Sequence, residues 1–239
     1  HLLSRRQRQM CIRDSIETLG KLDDEIVKNV NACTKLSQVE DIYRPYKQKK
    51  KTRASVAIAN GLQPLAETFM SFPRYFKETE LDAYINENVK DREAAIQGAC
   101  DIIAEKVSDD VDVRNKILDS MTNFGRIVTS EKKDHEDDHK VYKMYYDYSE
   151  RVNTLAPHRI MAIDRGEKEK VLNVSISFNE EYIENWVCRR FIRFNNSGTS
   201  EYVRTAILDG LKRLAYPSIE RMVRSALSEK AHESSLSLI

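Results

Sequence analysis

Six basic residues fall within ten positions, with no acid among them: Arg44, Lys47, Lys49, Lys50, Lys51 and Arg53, in the run Arg44-Pro-Tyr-Lys-Gln-Lys-Lys-Lys-Thr-Arg53. A cluster of this kind can neutralise several phosphates, which supplies affinity for a nucleic acid without reading its sequence. Tyr43 and Tyr46, beside the cations, can stack on unpaired bases. The competing reading is a solvated linker whose lysines stay in water while Tyr43 packs inward.

Three other constellations invite chemistry. In Asp134-His-Glu-Asp-Asp-His139 the two histidines are four apart, a spacing that shares one helix face and can ligate zinc. The order of a zinc hydrolase motif is absent, and no apolar neighbour would hold such a site rigid. A solvated loop is the simpler reading, and no metal is expected. His158 and Asp164, in Pro157-His-Arg-Ile-Met-Ala-Ile-Asp-Arg-Gly-Glu167, could share general acid–base work. Six residues apart on a helix they point to different faces, so a structural network joining His158, Arg159 and Arg165 to carboxylates is favoured. Arg189, Arg190 and Arg193 form either a phosphate-facing stripe or an ordinary solvated helix face. No glycine-rich phosphate loop occurs, and nothing resembles a nucleophile elbow. No catalytic residues and no cofactor are expected; the chain reads as a non-enzyme.

The elements that position these residues are mostly helices. Only seven Gly and five Pro punctuate 239 residues, too few turn formers for an all-β fold. The chain is 41% hydrophobic and 32% charged, which suits a globular domain. Lys and Arg number 39 against 38 Asp and Glu, so only local clustering can select a polyanion. No apolar run is long enough for a membrane-spanning helix. Cys11, Cys33, Cys100 and Cys188 are scattered without a CxxC, which suggests buried free thiols and a cytoplasmic location.

Along the chain, Asp23 can cap a helix carrying Ile26, Val27 and Val30, and Ser37 with Glu40 reads as a capping box. Arg53–Asn60 predicts a short helix ended by Gly61, and Pro64 opens another that stops before Pro73. Helical spacing follows for Leu81, Tyr84, Ile85 and Val89, for Ile96 to Val107, and for Ile117, Leu118, Met121 and Phe124. Three helices in succession, with Asp-rich caps and then the β-prone Arg126–Thr129, outline a helix-turn-helix-like module over 76–139. Alternation of Leu172, Val174, Ile176 and Phe178 predicts one short β element near 171–178, the single strand expected in a mainly α fold. A helix capped by Asn179 would bury Ile183, Trp186, Val187, Phe191 and Phe194 on one face. Two more helices follow, the last from about Pro217. The start differs in kind: RQRQMCIRDS resembles translated sequencing-adapter sequence, so residues 1–15 are read as non-native, the alternative being a basic helix start from Arg5 to Arg13.

Several of these segments together resemble the Tex family of bacterial transcription accessory proteins. Residues 38–53, QVEDIYRPYKQKKKTR, are similar to the family signature LEDLYLPYKPKRRTRA, and GLQPLA follows in step. REAAIQGACDIIAE, YYDYSERVNTLAPHRIMAIDRGEKEKVLNVSI and YPSIERMVRSALSEKAHESSL match further family segments in the same order. The resemblance runs from about Ile16 to Ile239. It implies a cytoplasmic, nucleic-acid-binding protein linked to transcription, RNA or DNA being the partner, with RNA polymerase or other transcription factors as further partners. It implies a helical scaffold over 16–75 and 140–239 around the 76–139 module. The YqgF, helix-hairpin-helix and RNA-binding OB-fold domains of the family are expected beyond this chain. Within it, the cations from Arg44 to Arg53 would touch nucleic acid, or else tether the scaffold to those domains; a helical platform that docks protein partners is the alternative function.

Overall fold

A computed structural model describes residues 5–18, 23–33, 42, 51–133 and 140–236. The expected capping box at Ser37–Glu40, most of the basic run and the 134–139 loop lie outside the described residues. The chain divides into two compact units, His1–Thr52 and Arg53–Ile239. Among the described residues, no helix is long and apolar enough to cross a membrane.

The first unit contains α1 (Arg5–Thr18) and α2 (Asp24–Ala32). Asp23 caps α2 as its sequence position requires, its carboxylate accepting the Ile26 N–H at 2.7 Å. Ile12 and Ile16 bury against Val30 and Cys33, with Ile26 and Ile42 packed beside them. Gln9 ties the two helices by donating to the Val30 carbonyl at 2.7 Å. The basic Arg5–Arg13 stretch is helical, forming most of α1.

The second unit begins with α3 (Arg53–Ala59) and α4 (Gln63–Ser71). Gly61 sits between them at φ +83°, the left-handed conformation that ends a helix, and Leu62 N–H returns to the Ala57 carbonyl at 3.1 Å. Pro64 occupies the first turn of α4. The expected helix through Leu81, Tyr84, Ile85 and Val89 is instead a 3₁₀ segment, Glu78–Tyr84. Asn86 stops it: its side-chain oxygen takes the N–H groups of Asn88 and Val89 at 2.9 and 3.1 Å, offering the backbone a turn in place of another helical bond. Leu81 and Val89 are buried there, and Ile85 is exposed.

The axis of this unit is α5 (Arg92–Asp109), capped by Asp91 and buried on every side along its middle, from Gly98 to Ala104. Small residues let its neighbours approach closely: Gly98 faces Ala57 and Leu62, and Ala104 faces Gly210. A single residue, Asp110, ends α5 and caps α6 (Val111–Asp119), its carboxylate accepting the Val113 N–H at 3.0 Å. A π-helical turn, Ser120–Phe124, follows, and then β1 (Arg126–Glu131).

The fold is mainly α, and among the described residues it has one small antiparallel sheet of three strands in the order β2-β1-β3. β2 is Asp147–Arg151 and β3 is Leu172–Ser177. The expectation of a single strand near 171–178 is therefore corrected: that strand exists, but pairs with β1, Ile176 opposite Ile127, and β1 pairs in turn with β2. A lone strand could not satisfy its backbone polar groups, so β3 required a partner. On the open edge of β3, Glu220 accepts the Ile176 N–H at 3.1 Å. Residues 76–133 and 140–236 thus share one sheet and one core.

Between the strands lies α7 (Pro157–Lys168); after them come α8 (Glu180–Phe191), α9 (Ser200–Asp209) and α10 (Tyr216–Leu236). The turn from α9 to α10, Gly210–Ala215, is π-helical, with Tyr216 N–H bonded to the Leu211 carbonyl. Pro217 gives the reason: it has no N–H to donate, and its ring would strike the carbonyl four residues back, so the wider turn clears it. Phe69 fills the end of the core, stacked on Tyr202 at 4.8 Å and edge-on to Phe76 at 5.5 Å. Burying such a ring is worth about 1.5–3 kcal/mol, with about 0.5–1.5 more for each well-placed aromatic pair.

Candidate nucleic-acid interface

Of the six cations in the basic run, Arg44, Lys47, Lys49 and Lys50 lie outside the described residues. Lys51 and Arg53 are exposed, and neither pairs with a carboxylate among the described residues. Arg53 is the first residue of α3, and it lines a surface groove of about 320 Å³. Asn60, Asn88 and Gln97 bring amide groups to the same groove, which Gly98 also lines. The groove's one carboxylate, Asp101, is buried and engaged, accepting from Gln97 at 3.2 Å and from Arg213 at 3.4 Å. Arg213 is in turn clamped by Asp209, with contacts of 2.6 to 3.1 Å. That hydrogen bonding raises the Arg213 pKa against the opposing effect of burial. The amide-lined groove is thus bordered by a free guanidinium, with its acid already neutralised. Such a surface can meet a phosphate and offer both donors and acceptors to groups beside it.

The sequence around Pro157–Glu167 makes a scaffold. His158 is exposed near the start of α7, and Asp164 lies six residues on, occupied by Arg224 at 3.4 Å and by the Ser228 hydroxyl at 2.5 Å. No acid–base pair forms between them. Arg159 pairs with a carboxylate as expected, but it meets Glu150 of the strand β2 at 2.6 Å and not a second helix. Arg165 departs from expectation: it is exposed and pairs with no carboxylate among the described residues, and Arg224 of α10 takes its place in the network. Tyr148 also donates to Glu150. That hydroxyl, opposed by burial and helped by Arg159, holds the Glu150 carboxyl below its ordinary value of 4.5.

The arginines of α8 are divided in use. Arg190 reaches Asp112 at 2.5 Å and Asp110 at 3.6 Å, stitching α8 to the start of α6. Arg189 and Arg193 are exposed without a described partner. Trp186 shares the Arg190 side of the helix, its ring 5.8 Å from the guanidinium, so the expected separation of rings from arginines fails. Phe194 lies beyond the end of α8 and is exposed. Periodicity misassigned Phe194 because it continued the helix past Phe191.

Cys33, Cys100 and Cys188 are buried free thiols; Cys11 is free and exposed. Burial, helped by Asp101 and Asp209, pushes Cys100 up to about 12, which keeps its proton in place at neutral pH. Among the described residues, no group of His, Cys, Asp and Glu could hold a metal ion.

Residues 73–239 match the family described as Tex central region-like. Over 235 residues the chain is 39% identical to the uncharacterized protein YdcI of Bacillus subtilis, covering 96% of this chain and 32% of that protein. It is 32% identical over 175 residues to the transcriptional accessory protein Tex of Neisseria gonorrhoeae, covering 73% of this chain and 23% of the relative. The human S1 RNA-binding domain-containing protein 1 is 27% identical over 243 residues, covering 92% and 24%. The chain therefore spans about a quarter to a third of the length of these relatives. Helical architecture, ordered sequence motifs and the match over 73–239 together make this chain a member of the Tex family.

Proposed function

We propose that this chain is a non-catalytic, nucleic-acid-binding module of a cytoplasmic transcription accessory protein, holding the phosphate backbone through Arg44, Lys47, Lys49, Lys50, Lys51 and Arg53. The observation that carries this reading is the acid-free basic run, whose described members Lys51 and Arg53 are exposed and pair with no carboxylate among the described residues, Arg53 lining an amide-rich groove. Two relatives support it by name, one a transcriptional accessory protein and one a protein with an S1 RNA-binding domain. The tight α5–α6 turn at Asp110 supports a helix-turn-helix-like role for residues 76–139. Contact with phosphates alone would make binding indifferent to sequence. Changing Lys49, Lys50 and Lys51 to Glu should weaken binding of RNA and DNA oligonucleotides of different sequence by similar factors. Equal affinity for the variant and the wild type would remove the basic run from the interface.

A second reading, a platform for RNA polymerase, other transcription factors or further Tex domains, is favoured by a different surface. Leu118, Val152, Leu155, Ile160, Met222 and Leu227 line an apolar groove of about 530 Å³ between α6, α7 and α10. Pull-down of a transcription factor by the wild type, lost on changing Met222 to Glu, would support that role.

A further inference from the structure

The apolar spacing of α6 assigns Phe124 to a buried face, yet it is 76% exposed at the end of the π turn. Tyr182, on the first turn of α8, is 50% exposed. These two rings, with Lys116, Asp119, Ser120 and Asn179, line a surface pocket of about 300 Å³. Lys116 Nζ lies 4.9 Å from the Tyr182 ring centroid and 5.8 Å from that of Trp186. Arg190 continues the series, 5.8 Å from Trp186 and 6.0 Å from Phe191. Rings and cations therefore alternate along one side of α8, because Tyr182, Trp186 and Arg190 recur at four-residue intervals. A row of rings of this kind is a surface on which single strands stack, each base presenting a π face.

The acids nearby refine the occupant. Asp112 is held by Arg190, and Glu184 by Lys212 at 3.2 Å; Glu180 and Glu181 lie on the solvent-exposed first turn of α8. Asp119 lines the pocket itself and accepts from Asn123 at 2.6 Å, leaving further acceptor capacity on its carboxylate. A phosphate would be repelled beside Asp119, whereas a flat, neutral ring with amino hydrogens at its edge would be accepted. Arg189, seven residues along the helix from Tyr182 and so roughly 10 Å further on, is exposed without a described partner, as is Arg193.

We propose that Phe124 and Tyr182 receive one unpaired nucleobase of a single-stranded nucleic acid, while Lys116, Arg189 and Arg193 take the flanking phosphates. This rests on the nucleic-acid reading above and adds to it a base-dependent contact remote in sequence from the basic run.

The test compares two fluorescein-labelled strands of equal length and charge, an oligodeoxyadenylate and its abasic counterpart, titrated with the full chain and followed by anisotropy. The wild type should prefer the base-bearing strand by roughly tenfold or more, given the usual contribution of base–aromatic stacking. A variant carrying Phe124→Ala and Tyr182→Ala should lose that preference while binding the abasic strand unchanged. Phe124→Trp with Tyr182→Phe, which keeps both rings, should retain it. Both side chains are at least half exposed, so an unchanged circular-dichroism melt should accompany the loss. Charge reversal at Lys49, Lys50 and Lys51 should weaken both strands alike, which separates the two contacts. Equal wild-type affinity for the two strands, or undiminished oligodeoxyadenylate affinity in the alanine variant, overturns the pocket assignment and leaves Phe124 to a protein partner, with the phosphate reading intact. No binding of either strand overturns both.

Discussion

Arg224 of α10 forks onto Glu167 of α7, its two terminal nitrogens 2.8 and 2.5 Å from the two carboxylate oxygens. The same guanidinium reaches Asp164 at 3.4 Å, and Asp164 accepts from Ser228 one turn further along α10. Hydrogen bonding to Glu167 raises the Arg224 pKa despite its burial, so the charge is kept. Two helices that also bury Ile160, Ile163, Val223 and Leu227 in one core are thereby fixed in register.

Replacing Arg224 with Met keeps the apolar stem and removes the fork. Glu167 and Asp164 are 38% and 33% exposed and can regain water, so the loss should be moderate, about 1–3 kcal/mol. Urea denaturation should show a lower midpoint with an unchanged slope. An unshifted midpoint would mean that the α7–α10 contact is held by apolar packing alone.

Glu150 gives the fold an acid sensitivity. Its carboxyl is held below 4.5 by the Tyr148 hydroxyl and by Arg159, so the folded state binds its proton less readily than the unfolded chain. The stabilisation is complete above that ordinary value and is lost as pH falls through the depressed one. Glu150→Gln should therefore be less stable than wild type at neutral pH, and the gap should narrow as pH falls below 4.5. Thermal melts across that range would reveal it; a gap independent of pH would dissociate Glu150 from the effect.

Gly210 sets two forces against each other. Alanine has the better helix propensity by about 1 kcal/mol. A Cβ at Gly210, however, would lie 2.6 Å from the Ala104 carbonyl oxygen and 3.0 Å from its Cα, both backbone atoms of α5. Overpacking of this kind costs about 1–3 kcal/mol, so Gly210→Ala should lower the melting temperature. A rise would show that the π turn yields easily.

Local signals were the legible part of this fold. Asp23, Asp91, Asp110 and Asn179 each cap the helix that follows them, and Gly61 and Pro64 bracket the α3–α4 turn. β3 was readable because alternate residues bury. β2 was not: its strand residues Asp147–Arg151 show no apolar alternation, and the ladder to β1 with the Tyr148–Glu150–Arg159 network holds it. Arg165 and Arg224 illustrate the same limit, since spacing identifies a charged helix without naming which charge a distant helix will meet. Phe124 belongs to a helical repeat but falls after the π turn has rotated the chain, which takes its ring off the core face. The groove beside Arg53 depends on Asn88 and Gln97, far along the chain, and no motif connects them.

The central claim is that cations of the 44–53 run displace counterions from a phosphate backbone. Its most direct test is the salt dependence of oligonucleotide affinity for the full chain, plotted as log affinity against log salt. Engagement of all six cations with a single strand predicts a slope of about −4, and reversal of Lys49, Lys50 and Lys51 should flatten it by about 2 or more. A slope near zero in the wild type, or the same slope in the variant, would contradict the account.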